Sequence, residues 1–542
     1  MNAGGMNLRG LAIYETPLHF YIIGADPTRT HYSTLKIDRT AERDLIMGEP
    51  DHDYTRADID ELLATVSASS IVTSPEQWNR RTRVTTPGGL LRTVDNAYGI
   101  IGVVRFLEGY YLLDVSMIYL PACGAPTHPD EQKYSKLFQS VDLTTNFYFS
   151  YTYDVSRTLQ ENALAEREKS RRRRAESKFI WNEFLLKPLR DNFVSEKWTL
   201  RIVHGYVGYS IVEIPCAKLV IALLARRSAR KIIVFGAVAN DVETEQMVWD
   251  ASAAADLCVG RFAAYVQRRG SVPLFWSQEP AGRGVVAGKP PIYVDLVEPH
   301  ALTTGAHFRE LRKKYGHPII VMNLVKRHEK RHNENILHEQ FLKTVKYLNE
   351  FQSPGRCIDY IGFDVSRCHG QSGQVLQKLE QLGAWTLLRQ GWFQSFGELA
   401  LRRARSHWLM DAFRPHRSRD GKLLLQRGVA RTNCVDCLDR TNVAQFGIGF
   451  QLWAMGYVDE PLVMLSAEVN RVLEELYDEH GDTLAWQYAG SQLVHSIKTY
   501  KRTAVFQERS RDVFQTISRY YSNTFSDYEK QDGINLFLGV FQ

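Results

Sequence analysis

Five residues separate a cysteine from an arginine in the string Arg431-Thr-Asn-Cys-Val-Asp-Cys-Leu-Asp-Arg-Thr-Asn442, a spacing suited to phosphoryl transfer. A loop of this length curls round one phosphate. The main-chain N–H groups of Asn433, Val435, Cys437 and Leu438 are expected to turn inward, and a helix N-terminus behind them adds positive potential. The same field favours a thiolate, so Cys434 is expected to be a nucleophile of lowered pKa. Arg440 offers a planar fork to two non-bridging phosphoryl oxygens and keeps its charge while the transition state spreads negative charge over them. Thr441 is assigned to donate to the sulfur when water breaks a cysteinyl-phosphate.

A leaving alkoxide needs a proton, and Asp436 and Asp439 both lie inside the loop. Asp436, two residues from the nucleophile, is the preferred acid. Asp439 fits equally a structural carboxylate that orients Arg440. Arg431, Lys326 and Arg327 add cations with phosphate-binding potential, each with the alternative of an ordinary surface charge. Cys434 and Cys437 also form a CxxC pair, which elsewhere marks half a zinc site or a redox disulfide; no second CxxC occurs in the chain, and neither reading employs Arg440. His328 and His332 stand four apart amid Lys330, Arg331 and Glu334, which reads as a solvated helix rather than a metal site. The chemistry requires no cofactor, with Mg2+ left open.

The elements around the motif give it a strand-loop-helix setting. Leu423 to Leu425 and Gly428-Val-Ala read as buried strand, and Val443 to Met455 as an apolar helix. Pro318 to Val325 is a further strand, followed by a charged helical stretch from Lys326 to Glu350. The chain beyond Lys178 therefore alternates strands and helices as an α/β unit. The N-terminal part is rich in strands: Ser33 to Ile37, Ile100 to Phe106 and Tyr110 to Tyr119. Within it, Thr55-Arg-Ala-Asp58 has capping-box form, and Ile59, Leu62, Leu63 and Val66 fall at helical spacing. Residues 161 to 177 lose their apolar period and carry Lys169 and Arg171 to Arg174, either a solvated run or a docking patch for anionic headgroups. The expected organisation is a β-rich unit over 1–165, a basic linker over 166–177 and an α/β catalytic unit over 178–542, α+β overall.

At 542 residues the chain is long enough for more than one core. Its 44% hydrophobic and 24% charged residues are ordinary for a globular protein, and the net charge of +6 suits an anionic partner without naming one. Seven cysteines without framework spacing argue against a disulfide scaffold and for a reducing compartment. Met1 to Tyr14 shows no secretory signal, and the apolar run from Lys218 to Ala225 falls short of the roughly 18 residues that span a bilayer. Any membrane contact is expected to be peripheral.

The string RTNCVDCLDRTN resembles the signature of the Sac family of phosphoinositide phosphatases. Leu35 to Arg39, Phe106 to Tyr110, Asn146 to Tyr151, Val242 to Gln246, Arg269 to Gln278 and Tyr500-Lys501 are similar to Sac-domain segments. Tyr477 to Leu484, Gly490 to His495, and Tyr520 to Asn523 through Ile534 to Phe541 resemble the branch that acts on phosphatidylinositol 3,5-bisphosphate. The resemblance implies a β-rich N-terminal Sac subdomain before the α/β catalytic one and a 5-phosphatase activity. It also implies a cytoplasmic enzyme, peripheral on endosomal, vacuolar or lysosomal membranes. There it would sit in a complex with a FYVE-domain lipid 5-kinase and a HEAT-repeat scaffold; no nucleic-acid partner is expected. It places Trp276 and Gln278 at the pocket, with buried core aromatics as the alternative for Trp276. Two departures stand out: Ala229 to Gly236 replaces a longer segment, and the chain ends at Gln542 where the branch continues. A weakly active component that stabilises the kinase complex, and a protein phosphatase using the same loop, remain alternative readings.

Overall fold

The computed structural model describes residues 8–16, 18–41, 44–69, 84–85, 91–107, 109–113, 117–120, 128–167, 177–214, 217–229, 238–251, 262–278, 291–327, 334–365, 374–395, 416–456, 466–493, 497 and 527–540. Arg171 to Arg174, His328, His332, most of the 229–236 departure, Tyr500-Lys501 and Tyr520 to Asn523 lie outside the described residues. The chain divides into two compact units. One comprises residues 1–156, 180–203 and 526–542, the other 157–179 and 204–525. The division thus departs from a single cut near 166–177, because two later segments return to the first unit.

In the first unit, strands β1 (Leu11–Glu15), β2 (His19–Ala25), β3 (Tyr32–Asp38), β4 (Ile46–Gly48), β5 (Val84–Thr85) and β6 (Leu91–Ala97) form an antiparallel sheet in the order β4-β3-β2-β1-β6-β5. The helix Arg56–Ser69 lies against it. Ile59 and Val66 are buried with Tyr14, Ile23 and Tyr32, and Leu62 and Leu63 pack on the same cluster. The Thr55 main-chain N–H and hydroxyl both donate to Asp58 Oδ2, at 2.8 and 2.7 Å, closing the capping box with an aspartate. A second antiparallel sheet holds β7 (Gly102–Arg105), β8 (Tyr110–Leu113) and β9 (Met117–Leu120), so the run from Tyr110 to Tyr119 contributes two paired strands rather than one. Phe147–Tyr148 is the short β10.

The second unit is built on β11 (Val203–Ile214), β12 (Ala217–Arg227), β13 (Val242–Asp250) and β14 (Phe262–Arg269), an antiparallel meander. A hairpin, β15 (Phe275–Gln278) with β16 (Ile292–Leu296), follows. Then β17 (Ile319–Asn323) pairs in parallel with β18 (Asp359–Gly362). β19 (Phe393–Gln394), β20 (His416–Arg417) and β21 (Leu424–Leu425) form an antiparallel border on β14. β22 (Val429–Asn433) runs parallel to both β14 and β17 and so lies between them. Leu424–Leu425 and Val429–Asn433 are separate strands, and the second runs into the motif itself.

Strand alternation distributes side chains to two cores. Ile319, Val321 and Val429 pack with helices Leu302–Tyr315 and Glu334–Glu350. Met322, Leu324 and Ala430 pack with helices Gln374–Gln390, Asp439–Gly456 and Ser466–Ala489. This puts β17 and β22 in the middle of a helix-covered sheet, as expected of buried parallel strands. The expectation of an α/β unit holds in this form: a mixed sheet, antiparallel first and parallel at its centre. Gly428, at φ +83°, leads into β22, where a Cβ would lie 1.9 Å from the Pro318 carbonyl oxygen.

Candidate active site

The cysteine-arginine loop leaves the C-terminal end of β22 and enters the helix Asp439–Gly456. All five β22 residues are buried, and the register sets Thr432 against Arg269 and Asn433 against Asn323. The loop begins at the end of parallel strands and leads into a helix N-terminus, which is where an α/β sheet presents its crevice. Cys437 adopts φ +57°, a left-handed turn that closes the loop.

Cys434 and Cys437 are free thiols and both side chains join the helix-side core, whereas Val435 packs on the opposite one. The Cys437 thiol faces the Cys434 main chain: the Cys434 N–H reaches Cys437 Sγ at 3.3 Å, and Cys437 Sγ donates to the Cys434 carbonyl at 3.3 Å. Asp436 is exposed. Its Oδ1 accepts the Leu438 N–H at 3.2 Å and lies 3.7 Å from Cys434 Sγ. Asp439 is buried in the first helical turn. Among the described residues, the Thr441 hydroxyl is buried without a hydrogen-bond partner, and so is Asn433 Oδ1.

Burial works against one expectation. Cys434 is 0% exposed, and desolvation pushes its thiol well above the usual cysteine range, with the Arg440 charge opposing but not prevailing. The helix N-terminus and guanidinium were expected to lower it. A closed loop removes the water that a thiolate needs, which favours the thiol.

Arg440 is only partly exposed. Its Nη1 donates to Glu334 Oε2 at 2.7 Å and to the Leu324 carbonyl at 3.2 Å, and its Nη2 donates to Glu334 Oε1 at 3.4 Å. Burial alone would lower its pKa; the Cys434 sulfur and the Glu334 carboxylate outweigh that and raise it above the ordinary arginine range. The sulfur and guanidinium thus share one local field. The carboxylate that holds this arginine is Glu334, not the neighbouring Asp439.

Arg431 bonds to the turn that follows β14. It is buried, and its Nη1 donates to the Gly270 carbonyl at 2.8 Å while Nη2 donates to that of Ser271. As an interior β22 residue it braces the turn after β14, which corrects its assignment as a phosphate contact. Burial lowers its pKa to about 10. Lys326 follows β17 as expected, and its main-chain N–H donates to Glu334 Oε2 at 3.2 Å. Arg327 donates to the Gly362 carbonyl. Trp276 is half-buried on the same core as Val435, with Nε1 donating to the Val272 carbonyl at 3.3 Å.

Several supporting residues were invisible in the sequence pattern. Arg269 donates to the carbonyls of Cys437 and Leu438 and to Gln445 Oε1. Asn240, at φ +52°, donates to the Asp436 carbonyl at 2.7 Å. The charged helical stretch from Lys326 to Glu350 buries Glu334, Asn335 and His338. His338 pairs with Asn323 at 3.1 Å, and Asn323 Oδ1 accepts from Asn433 Nδ2 at 2.5 Å, so this helix supports both ends of the loop.

Behind the turn at Asn240 lies an ionic cluster. Lys178, Arg226, Arg268 and Lys314 face Asp241, Glu243, Glu245 and Glu310, with Lys178–Asp241 at 2.7 Å, Arg226–Glu243 at 3.0 Å and Lys314–Glu243 at 2.8 Å. Burial would raise Glu243, but Lys314, Arg226 and Arg268 bring it down to about 2. The acidic Val242 to Gln246 segment is therefore buried throughout. Among the described residues, no group of three or more His, Cys, Asp or Glu side chains is arranged to hold a metal ion, and no helix is long and apolar enough to cross a membrane.

Comparison with known proteins agrees with this geometry. The family profile described as the SacI homology domain matches residues 64–369, ahead of the loop. The chain is 33% identical to phosphatidylinositol-3-phosphatase SAC1 of Arabidopsis thaliana, covering 99% of this chain and 65% of that protein. It is 33% identical to phosphoinositide phosphatase SAC2 of Arabidopsis thaliana, over 100% of this chain and 73% of the relative. It is also 33% identical to the polyphosphoinositide phosphatase of Schizosaccharomyces pombe, over 98% and 64%. The chain thus spans about two thirds of the length of these relatives. The matched profile and these full-span similarities place it: the chain belongs to the Sac-domain phosphoinositide phosphatase family.

Proposed function

We propose that this chain hydrolyses phosphate from inositol lipids at a membrane surface, with Cys434 as nucleophile and Arg440 as phosphate clamp. The observation that carries the reading is the placement of Cys434 and Arg440 on one turn between a buried strand and a helix N-terminus, with Asp436 Oδ1 3.7 Å from the sulfur. In the resting loop the Asp436 carboxylate accepts the Leu438 N–H, a place that suits one phosphoryl oxygen. Substrate phosphate displaces that carboxylate and brings the sulfur and Arg440 onto one phosphorus.

The Cys434 thiol, 3.7 Å from Asp436 Oδ1, passes its proton to that carboxylate; the thiolate so formed attacks phosphorus, the P–O bond to the inositol breaks, and the leaving oxygen takes the proton from Asp436. Arg440 holds the non-bridging oxygens as their charge grows. Water next attacks the cysteinyl-phosphate and gives its proton to Asp436; the S–P bond breaks, the Thr441 hydroxyl donating to the departing sulfur. Inorganic phosphate and the dephosphorylated lipid are released. No cofactor enters these steps.

The substrate proposed is phosphatidylinositol 3,5-bisphosphate, cleaved at the 5-phosphate, on the likeness of Tyr477 to Leu484 and Gly490 to His495 to the branch that acts on it. The printed name of one relative, a phosphatidylinositol-3-phosphatase, favours a second reading in which the 3-phosphate leaves. A place on endosomal, vacuolar or lysosomal membranes, beside a FYVE-domain 5-kinase and a HEAT-repeat scaffold, belongs to the same proposal. Phosphate release from short-chain phosphatidylinositol 3,5-bisphosphate, with the product inositol identified, decides between the positions. Release of phosphate from a phosphopeptide but from no inositol lipid would replace this reading with a protein phosphatase.

A further inference from the structure

The contacts of Arg440 leave one edge of its guanidinium open. Glu334 Oε2 and Oε1 take the Nη1 and Nη2 edge, at 2.7 and 3.4 Å, and the Leu324 carbonyl takes the other Nη1 hydrogen at 3.2 Å. What remains is the Nε–H with the second Nη2 hydrogen, which together make the other two-pronged face of a guanidinium. Among the described residues nothing bonds to that face.

The carboxylate that does this is itself fixed. Glu334 is 4% exposed, opens the helix Glu334–Glu350, and accepts the Lys326 N–H at 3.2 Å with the same Oε2 that binds Arg440. Leu337, Phe341 and Val345 of this helix are buried in the core that also takes Ile319 and Val321 of β17. The first helical turn is therefore anchored to the sheet that carries the loop. An arginine side chain has several rotatable bonds, and its fork is useful to a phosphoryl group only in one plane.

We propose that Glu334 is a positioning residue: it engages one edge of Arg440 so that the Nε and Nη2 edge is presented, preorganised, to two phosphoryl oxygens. It touches neither substrate nor sulfur, and it acts through Arg440. The inference rests on the phosphatase reading for its purpose, but its geometry concerns any tetrahedral or trigonal-bipyramidal oxyanion in the loop. The opposite role, a carboxylate that competes with phosphate for Arg440, predicts the opposite sign.

Orthovanadate is the probe, titrated calorimetrically into the full chain. Glu334→Gln keeps the shape and removes the charge; it is expected to weaken vanadate binding and to lower kcat on inositol lipid by about 100-fold, the scale of a misaligned catalytic group. Glu334→Asp, which keeps the charge, is expected to recover part of both. In an Arg440→Ala background, Glu334→Gln is expected to change vanadate affinity no further. Leu337→Ala truncates the core of the same helix; it is expected to lower thermal stability while the folded fraction binds vanadate as the wild type does. Vanadate that binds Glu334→Gln as tightly as wild type, or more tightly, overturns the proposal, and so does an equal effect in the Arg440→Ala background. Wild-type protein that binds vanadate but releases no lipid phosphate would sink the substrate assignment while leaving this inference intact.

Discussion

The guanidinium of Arg269 donates from Nη2 to the main-chain carbonyl of Leu438 across 3.1 Å. Its Nε donates to the Cys437 carbonyl, also at 3.1 Å, so a side chain from the end of β14 fastens the closing turn of the cysteine loop. Arg269 is buried, and among the described residues it forms no ion pair with a carboxylate. Its charge is balanced by carbonyl dipoles and adds to the positive potential under the loop. Replacing it with methionine leaves the buried Cys437 carbonyl without a donor, at about 1–3 kcal/mol, while the Leu438 carbonyl keeps the Asn442 N–H. Arg269→Met is expected to lose stability on that scale in urea unfolding and to lose most lipid phosphatase activity. Full activity in a folded Arg269→Met would show that the loop needs no such anchor.

The ionic cluster on β13 is expected to behave as a unit. Arg226 Nη1 and Nη2 reach Glu243 and Glu245 at 3.0 and 2.6 Å, and none of the three side chains is exposed. Arg226→Met removes the cation and leaves Glu245 buried beside the main-chain N–H of Leu159. The expected cost is about 3–5 kcal/mol, typical of breaking a buried pair from one side. Chemical denaturation measures it; a change within error of zero would mean that water or another cation compensates.

The resting thiol sets a pH dependence. Burial holds Cys434 above the usual cysteine range, so its thiolate fraction at neutral pH is smaller than that of a free cysteine and grows as pH rises through the raised value. Iodoacetamide labelling of Cys434 without substrate is expected to be slow at pH 7, slower than at the half-buried Cys357, and still rising past pH 9. A labelling rate that levels off below pH 7 would mean that the loop stabilises the anion even when empty.

The general acid can be separated from a structural carboxylate by choice of leaving group. Asp436 is exposed and its Oδ1 lies 3.7 Å from Cys434 Sγ, whereas Asp439 is buried in the helix. Asp436→Asn is expected to reduce turnover of inositol lipid by about 100-fold, while sparing an aryl phosphate whose leaving phenolate needs no proton. Equal losses on both substrates would assign Asp436 to holding the loop, and the same selective pattern in Asp439→Asn would move the acid there.

How far the sequence reveals this site follows from how local each part is. The spacing from Cys434 to Arg440, the apolar strand before it and the helix after it are neighbours in the chain, and they were readable. So was the helix at 56–69, because its cap and apolar spacing lie within one segment. Glu334 meets Arg440 across 106 residues, Asn240 meets Asp436 across 196, and Arg269 meets Cys437 across 168; no local pattern announces such pairs. Glu334 and His338 looked like the polar face of a charged helix, and only tertiary packing turns that face inward. The direction of the Cys434 pKa shift escapes the sequence for the same reason, since a field can be inferred from neighbours in sequence but burial cannot.

The account turns on a bond between Cys434 sulfur and phosphorus. Inositol lipid carrying a radioactive phosphate at the scissile position, mixed with the protein and quenched in acid within a turnover, captures that bond if it forms. The prediction is label on the peptide that contains Cys434, absent in Cys434→Ser. Steady release of phosphate with that peptide unlabelled at every quench time would contradict it.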